Sequence, residues 1–145
     1  MKIKLVTPVN RNFKEVYEKF DRQLFEFLQP SFPKMKLIEF QSQKPGNIVH
    51  IEFIFPLKAK WVSIITEEES NDQECFFIDE GEVLPPGISF WRHKHIVKRT
   101  GKDTCEIIDD IEYKSPNKII EALMYPQLYM SFYPRKKAYQ KYFNK

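Results

Sequence analysis

Residues 90–97 and 103–113 alternate in side-chain character over two neighbouring stretches, with Thr100-Gly101 between them. Alternation with a period of two is the signature of a strand, and strands joined this closely pair antiparallel. Trp91, His93, His95 and Val97 share one face of the first strand. Cys105, Ile107, Asp109, Ile111 and Tyr113 share the more apolar face of the second. Bringing both sets to one side requires an odd number of loop residues. A loop of Arg99-Thr100-Gly101, with Gly101 in a left-handed bulge position, sets Asp109 opposite Trp91 and diagonal to His93. A five-residue loop sets Asp109 directly opposite His93. In either register Asp109 lies within cross-strand reach of His93.

The rest of the chain surrounds this hairpin with similar material. Residues 2–6 alternate and are closed by Pro8. Asn10 or Asn12 can cap a helix carrying Phe13, Val16, Tyr17 and Phe20, and Asp21 can start a second, short one that ends at Pro30 and Pro33. Strands are predicted over 35–43, with Leu37 on one side and Ile38 and Phe40 on the other, and over 48–55, 61–67 and 74–79. Lys44-Pro45-Gly46-Asn47 is a turn, because Pro presets φ and Gly accepts a positive one. Residues 67–72 and 81–87 are predicted loops. After Ser115-Pro116-Asn117 an apolar stripe runs through Ile119, Ile120, Leu123, Met124, Leu128, Phe132, Tyr139 and Tyr142-Phe143. Its spacing predicts one long helix over 117–143, kinked or broken ahead of Pro126 and Pro134. The order is one strand, two short helices, six strands in meander and a long helix. That is an α+β arrangement: a seven-stranded curved antiparallel sheet with its helices on one face.

At 145 residues the chain is one domain, 1–145, with enough length for a true core. Thirteen Phe and seven Tyr exceed what a small solid core needs, and large rings can line a pocket as well as fill one. A net charge of +3, dispersed along the chain, gives no nucleic-acid footprint. Arg135-Lys136-Lys137, the densest basic run, reads as a solvated helix face. Cys75 and Cys105 lack CxxC spacing, and the start of the sequence lacks the apolar core of a signal peptide. A reduced, cytoplasmic protein is the expectation. No apolar run reaches the ~18 residues of a membrane span, so no membrane insertion is expected.

A carboxylate on an apolar face is costly unless paired, so Asp109 predicts its own partner, with His93 the nearest candidate. The pair has three readings: a structural pair fixing strand register, a hydrogen-bonding contact for a ligand, or a general acid–base dyad. No residue is assigned a catalytic role. His93 and His95 form an HxH pair, but His50 and Glu52 face away, so no metal site is expected. With four glycines and no Gly-rich phosphate loop, no cofactor is expected either. The concave side is predicted to present Phe53, Trp61, Phe77, Trp91, His93, Ile107, Asp109 and Ile111, faced by Leu128 and Phe132 on the helix.

Several of these features resemble one family. They are Phe77-Ile78-Asp79, the Pro86-Gly87 loop, Trp91-Arg92-His93-Lys94-His95, Gly101, Thr104, Asp109-Asp110, Tyr113, Pro116, and a last helix bearing Tyr133 and Arg135. The chain resembles the helix-grip superfamily of START domains, Bet v 1 pollen allergens and the polyketide cyclase/dehydratase and lipid-transport group (SRPBCC), and small bacterial members in particular. The resemblance covers essentially the whole chain; Pro126 and Pro134 depart from it. It implies a deep apolar pocket between sheet and helix and a lipid, sterol, polyketide or other hydrophobic ligand. Three functions are open: a binding or carrier protein for a hydrophobic small molecule, a cyclase, dehydratase or isomerase using His93–Asp109, and a protein-interaction module using Tyr139 and Tyr142 beside the basic run.

Overall fold

A computed structural model of the protein describes residues 1–144. Eleven elements follow one another: β1 (Lys2–Val9), α1 (Phe13–Glu18), α2 (Arg22–Phe27), β2 (Lys34–Phe40), β3 (Ile48–Phe55), β4 (Ala59–Ser70), β5 (Glu74–Val83), β6 (Phe90–Gly101), β7 (Thr104–Lys114), α3 (Lys118–Phe132) and α4 (Arg135–Phe143). The strands form one curved antiparallel sheet in the order β1-β7-β6-β5-β4-β3-β2. Strand β1 is an edge, so Pro8, which has no N–H to give a ladder, sits inside it rather than ending it. Among the described residues no helix is long and apolar enough to cross a membrane.

The caps follow from the side chains. Asn12 accepts from the Lys14 and Glu15 amides at 3.0 and 3.4 Å, and Asp21 from the Leu24 amide at 3.0 Å. Gly46 and Gly87 take φ of 93° and 97°, the left-handed backbone that only glycine adopts without strain.

Several local expectations are corrected. A register shift between Leu37 and Glu39 turns both Leu37 and Phe40 into the core and leaves Ile38 outside. Residues 67–70 are strand, not loop: Glu67 to Ser70 pair with Ile78 to Cys75, with Glu67, Glu69 and Ser70 exposed and Glu68 accepting from the Tyr17 hydroxyl at 2.7 Å. Strand β5 likewise runs past Gly81 to Val83. The β6–β7 hairpin turns at Lys102-Asp103, later than predicted, with the irregularity at Thr100 and no positive φ at Gly101. This moves the register: Trp91 faces Tyr113, His93 faces Ile111, and His95 faces Asp109. The terminal helix is two. It runs unbroken through Pro126 and ends at Tyr133-Pro134, where α4 begins. Ile119 and Leu123, placed in the apolar stripe by spacing, are each 73% exposed, and Met124, Leu128 and Phe132 turn inward instead.

Two clusters make the concave core. Under α1, α2 and α4, Phe20 stacks on Tyr139 and Phe143 with centroids 6.1 and 6.5 Å apart. Under α3, Trp61, Trp91, Ile111 and Tyr113 form a second group. Helix α4 lies directly on β1, whereas α3 stands off the sheet. Its N-terminal end is tied down by Tyr113, whose hydroxyl donates to the Glu121 carbonyl at 2.7 Å.

Candidate functional site: an aromatic hollow with two histidine–carboxylate pairs

Where α3 stands off, a hollow of about 250 Å³ remains between helix and sheet. Seven of the ten residues predicted for the concave side line it: Phe53, Trp61, Phe77, Trp91, His93, Leu128 and Phe132. Ile107, Asp109 and Ile111 do not. They lie on β7 beside the edge strand, where the helices rest on the sheet, and are no more than 1% exposed. Ile107 belongs to the cluster of Tyr139, and Ile111 to that of Trp91. Asp109 sits behind His93, not at the surface of the hollow.

The walls are ring on ring. Trp61 meets Trp91 edge-on at 4.7 Å, and Phe132 stacks on Trp91 at 5.8 Å. The Trp61 indole N–H donates to the Ser63 hydroxyl at 3.0 Å, so its one polar atom is satisfied within the wall.

The floor is polar. His93 Nε2 lies 2.9 Å from Asp109 Oδ1, and His95 Nε2 lies 2.6 Å from Asp79 Oδ2. Each histidine bonds the carboxylate diagonal to it, not the one directly across, because the direct partners are Asp79 for His93 and Asp109 for His95. The two imidazoles stack at 3.6 Å, and His95 stacks in turn on Phe77 at 4.2 Å. Arg135, first residue of α4, lines the hollow; its Nη1 comes within 3.5 Å of Asp109 Oδ1 and its guanidinium lies 4.6 Å over the Phe132 ring. The Tyr139 hydroxyl reaches the same oxygen at 3.5 Å.

Protonation follows from these contacts. Burial raises the Asp109 carboxyl, but the His93 hydrogen bond and the Arg135 charge outweigh it and bring the pKa down to about 2. Asp79 is also lowered: burial opposes ionisation and the contact with His95 overcomes it. Burial, reinforced by the neighbouring His93, pushes His95 down to about 4, so it is neutral at pH 7. A neutral imidazole beside an ionised carboxylate must donate to it, which puts the His95 proton on Nε2 and leaves Nδ1 as an acceptor. That Nδ1 is buried without a hydrogen bond, and Arg135 Nη1, ion-paired with Asp109, likewise makes no hydrogen bond. Burial, then the Asp109 charge, raises the Tyr139 hydroxyl far above its ordinary range, keeping it a donor.

Asp79, His93 and His95 bring one donor atom each within 4.8 Å of one another. The near-parallel stack of the two rings, 22° apart, sends their lone pairs alongside each other rather than to one point, and each histidine already has its own carboxylate. The arrangement therefore fits proton-holding pairs better than a shared ion.

Asp79 and Arg135 were named among the residues that carry the family resemblance, but neither was placed in the site. Asp79 carried a usable signal: it shares strand parity with Phe77, so by the logic applied to Asp109 it too was an inward carboxylate in need of a partner. The helical spacing gave no such signal for Arg135, because only the break at Pro134 re-phases the helix and turns it inward.

No family model matches the sequence, and no curated protein matches it. Solved structures do. The norcoclaurine synthase of Thalictrum flavum aligns at 21% identity over 97% of this chain and 84% of that one, with a TM-score of 0.61. The Zhui aromatase/cyclase of Streptomyces sp. R1128 aligns at 8% identity over 96% and 90%, with a TM-score of 0.71. An uncharacterised protein of Bacillus thuringiensis aligns at 14% identity over the full length of both chains, with a TM-score of 0.66. Alignment with these proteins across almost all of its length, on a curved sheet of seven strands closed by the chain's final helices, gives this chain the helix-grip fold.

Proposed function

We propose that the protein binds a small hydrophobic molecule in the hollow beneath α3, with an oxygen-bearing end directed at Arg135 and His93. The observation that carries this reading is the division of one buried space into aromatic walls and a charged floor. Ligand sites in general combine apolar lining with a few convergent polar groups. At about 250 Å³ the space is near the small end of the ~300–1,000 Å³ usual for such sites. One or two fused rings suit it better than a long-chain lipid. Two structural neighbours support the choice: a norcoclaurine synthase observed in complex with dopamine and hydroxybenzaldehyde, and an aromatase/cyclase. The two free, buried thiols of Cys75 and Cys105 fit a reducing compartment such as the cytoplasm.

The test uses 2-naphthol, a two-ring probe with one hydroxyl. It should quench the emission of Trp61 and Trp91 and stabilise the fold, by about 2.7 kcal/mol when the probe is at 100 times its Kd. Native mass spectrometry of freshly purified protein should show an extractable adduct. Neither quenching nor stabilisation, together with a bare mass, would remove the reading.

A further inference from the structure

We propose that the protein docks on an anionic membrane surface through a tip formed by residues 30–36 and 54–60, with three apolar side chains entering the headgroup layer and four lysines meeting the lipid phosphates. The tip borders the mouth of the hollow, but docking does not depend on what the hollow binds.

The apolar part of the tip is exposed and clustered. Phe32, Phe55 and Leu57 are 57%, 60% and 68% exposed. Phe32 and Phe55 meet edge-on with ring centroids 6.4 Å apart, so the two segments present one surface. Phe55 is the last residue of β3, and Leu57 lies in the turn that leads to β4. At ~200 Å² for a full side chain, the three offer roughly 350–400 Å² to a partner. A stable dimer buries about 800 Å² on each side, so the patch is too small for a second copy of the chain. A bilayer asks less. Apolar side chains sink into the boundary between headgroups and acyl chains, and binding grows with the apolar area that enters and with attraction to anionic lipid.

The charge around these side chains selects the anionic surface. The same two segments hold Lys34, Lys36, Lys58 and Lys60, all exposed, and no acidic residue. None of the four makes an ion pair among the described residues. Glu52 lies across from Lys36 and Lys60 in the sheet and offsets one of them, with its carboxylate 3.4 Å from His50 Nε2. The other end of β4 carries the opposite sign. The strand has 12 residues, a length of about 40 Å. At its far tip Glu67, Glu69 and Asp72 are exposed, offset in part by Lys98 and Arg99 on β6. An anionic surface attracts the first tip and repels the second, which orients the molecule. The outer face of α3 also exposes Ile119, Leu123 and Met130, but its one cation, Lys118, reaches Glu121 at 3.7 Å, so charge names no partner there. Docking by the tip sets the mouth of the hollow against the bilayer, because Pro30, Pro33, Pro56 and Leu57 line that space as well.

The test is flotation with lipid vesicles. Wild-type protein should float with phosphatidylcholine vesicles containing about 30% phosphatidylglycerol, and not with phosphatidylcholine alone. Raising salt from ~0.1 M to ~1 M shortens the screening length from about 10 Å to about 3 Å and should release most of it. Phe32→Ser combined with Phe55→Ser keeps every charge, and neither residue lines the hollow. The melting temperature should hold while vesicle affinity falls by about 10-fold or more. Lys34→Gln combined with Lys58→Gln should lower affinity by roughly 5-fold per lysine. Wild-type protein that does not float with the anionic vesicles overturns the proposal. So does flotation of folded F32S/F55S at the wild-type level, which would reduce the effect to diffuse attraction of a basic protein. Should that variant fail to fold, wild-type affinity in K34Q/K58Q overturns it instead. Wild-type protein that stays off the vesicles and sediments as a dimer, with F32S/F55S a monomer, would assign the tip to a second copy of the chain and overturn docking on a membrane.

Discussion

Beneath α4 and beneath α3 the same sheet meets its helices in two different ways. At the α4 end, Phe20, Tyr139 and Phe143 are at most 2% exposed and stack ring on ring with nothing between them. At the α3 end, Trp61, Trp91 and Phe132 are just as aromatic but surround open space. Composition does not separate the two regions. What separates them is the break at Tyr133-Pro134, which lets α4 settle on β1 while the backbone of α3 stays off the sheet and reaches it only through side chains such as Phe132. The contrast teaches that aromatic content predicts buried surface, whereas helix phasing decides whether that surface closes or stays open.

The largest expected effect lies in the closed end. Phe20→Ala should cost about 3–5 kcal/mol, the range for deleting a buried ring in a packed core, measured by urea denaturation. A loss under about 1 kcal/mol would mean this end is not the solid part of the molecule.

Next in size is a pH effect from the floor of the open end. His95 titrates at about 4 in the fold against 6.5 in the unfolded chain. Between those values the unfolded chain binds more protons, so stability is full above pH 6.5 and falls as pH drops through 4. The loss should be on the order of 3 kcal/mol across that window. Asp109, lowered to about 2, adds its own loss only below about pH 4. His95→Gln, which keeps a donor for Asp79 without titrating, should flatten the upper window and leave the lower one. An unchanged slope would show that His95 is not the buried neutral group.

Smaller still is truncation over the hollow. Leu128→Ala should cost about 1 kcal/mol or less, because Leu128 borders the hollow, while Leu24→Ala on the buried face of α2 should cost about 2–5 kcal/mol. Equal costs would erase the distinction between the ends. The smallest effect on stability belongs to Leu128→Phe, expected within about 0.5 kcal/mol of wild type, since the added atoms enter unfilled space. The same variant should lose most of its 2-naphthol affinity, which sharpens the comparison from the other side.

Much of this was legible because strands announce themselves by parity. The alternation through Trp91, His93 and His95 and through Ile107, Asp109 and Ile111 placed both histidines and the carboxylate inward, and the 2.9 Å contact of His93 with Asp109 lies within the reach that parity allowed. Register was not legible: it depends on where the hairpin turns, and Lys102-Asp103 is not a strong turn signal beside Thr100-Gly101. The depth of Ile107 and Ile111 was hidden for a related reason. Parity assigns a face, but only the sheet order, with β7 next to the edge strand, says which inward residues the helices cover. Arg135 looked like part of a solvated basic run because its rotation into the site depends on a helix break whose effect on phase a linear pattern does not record.

The stand-off of α3 has a kinetic consequence. A helix tied at one end by Tyr113 and at the other by the Pro134 break, held to the sheet between only by side chains such as Met124, Leu128 and Phe132, can lift as a unit while the stack of Phe20, Tyr139 and Phe143 stays shut. Amide hydrogens of 118–132 should then exchange through a sub-global opening well below the free energy of complete unfolding, and those of the central strands only through the latter. The hollow would then open on the faster clock, leaving the lifetime of the folded protein to be set by the slower one.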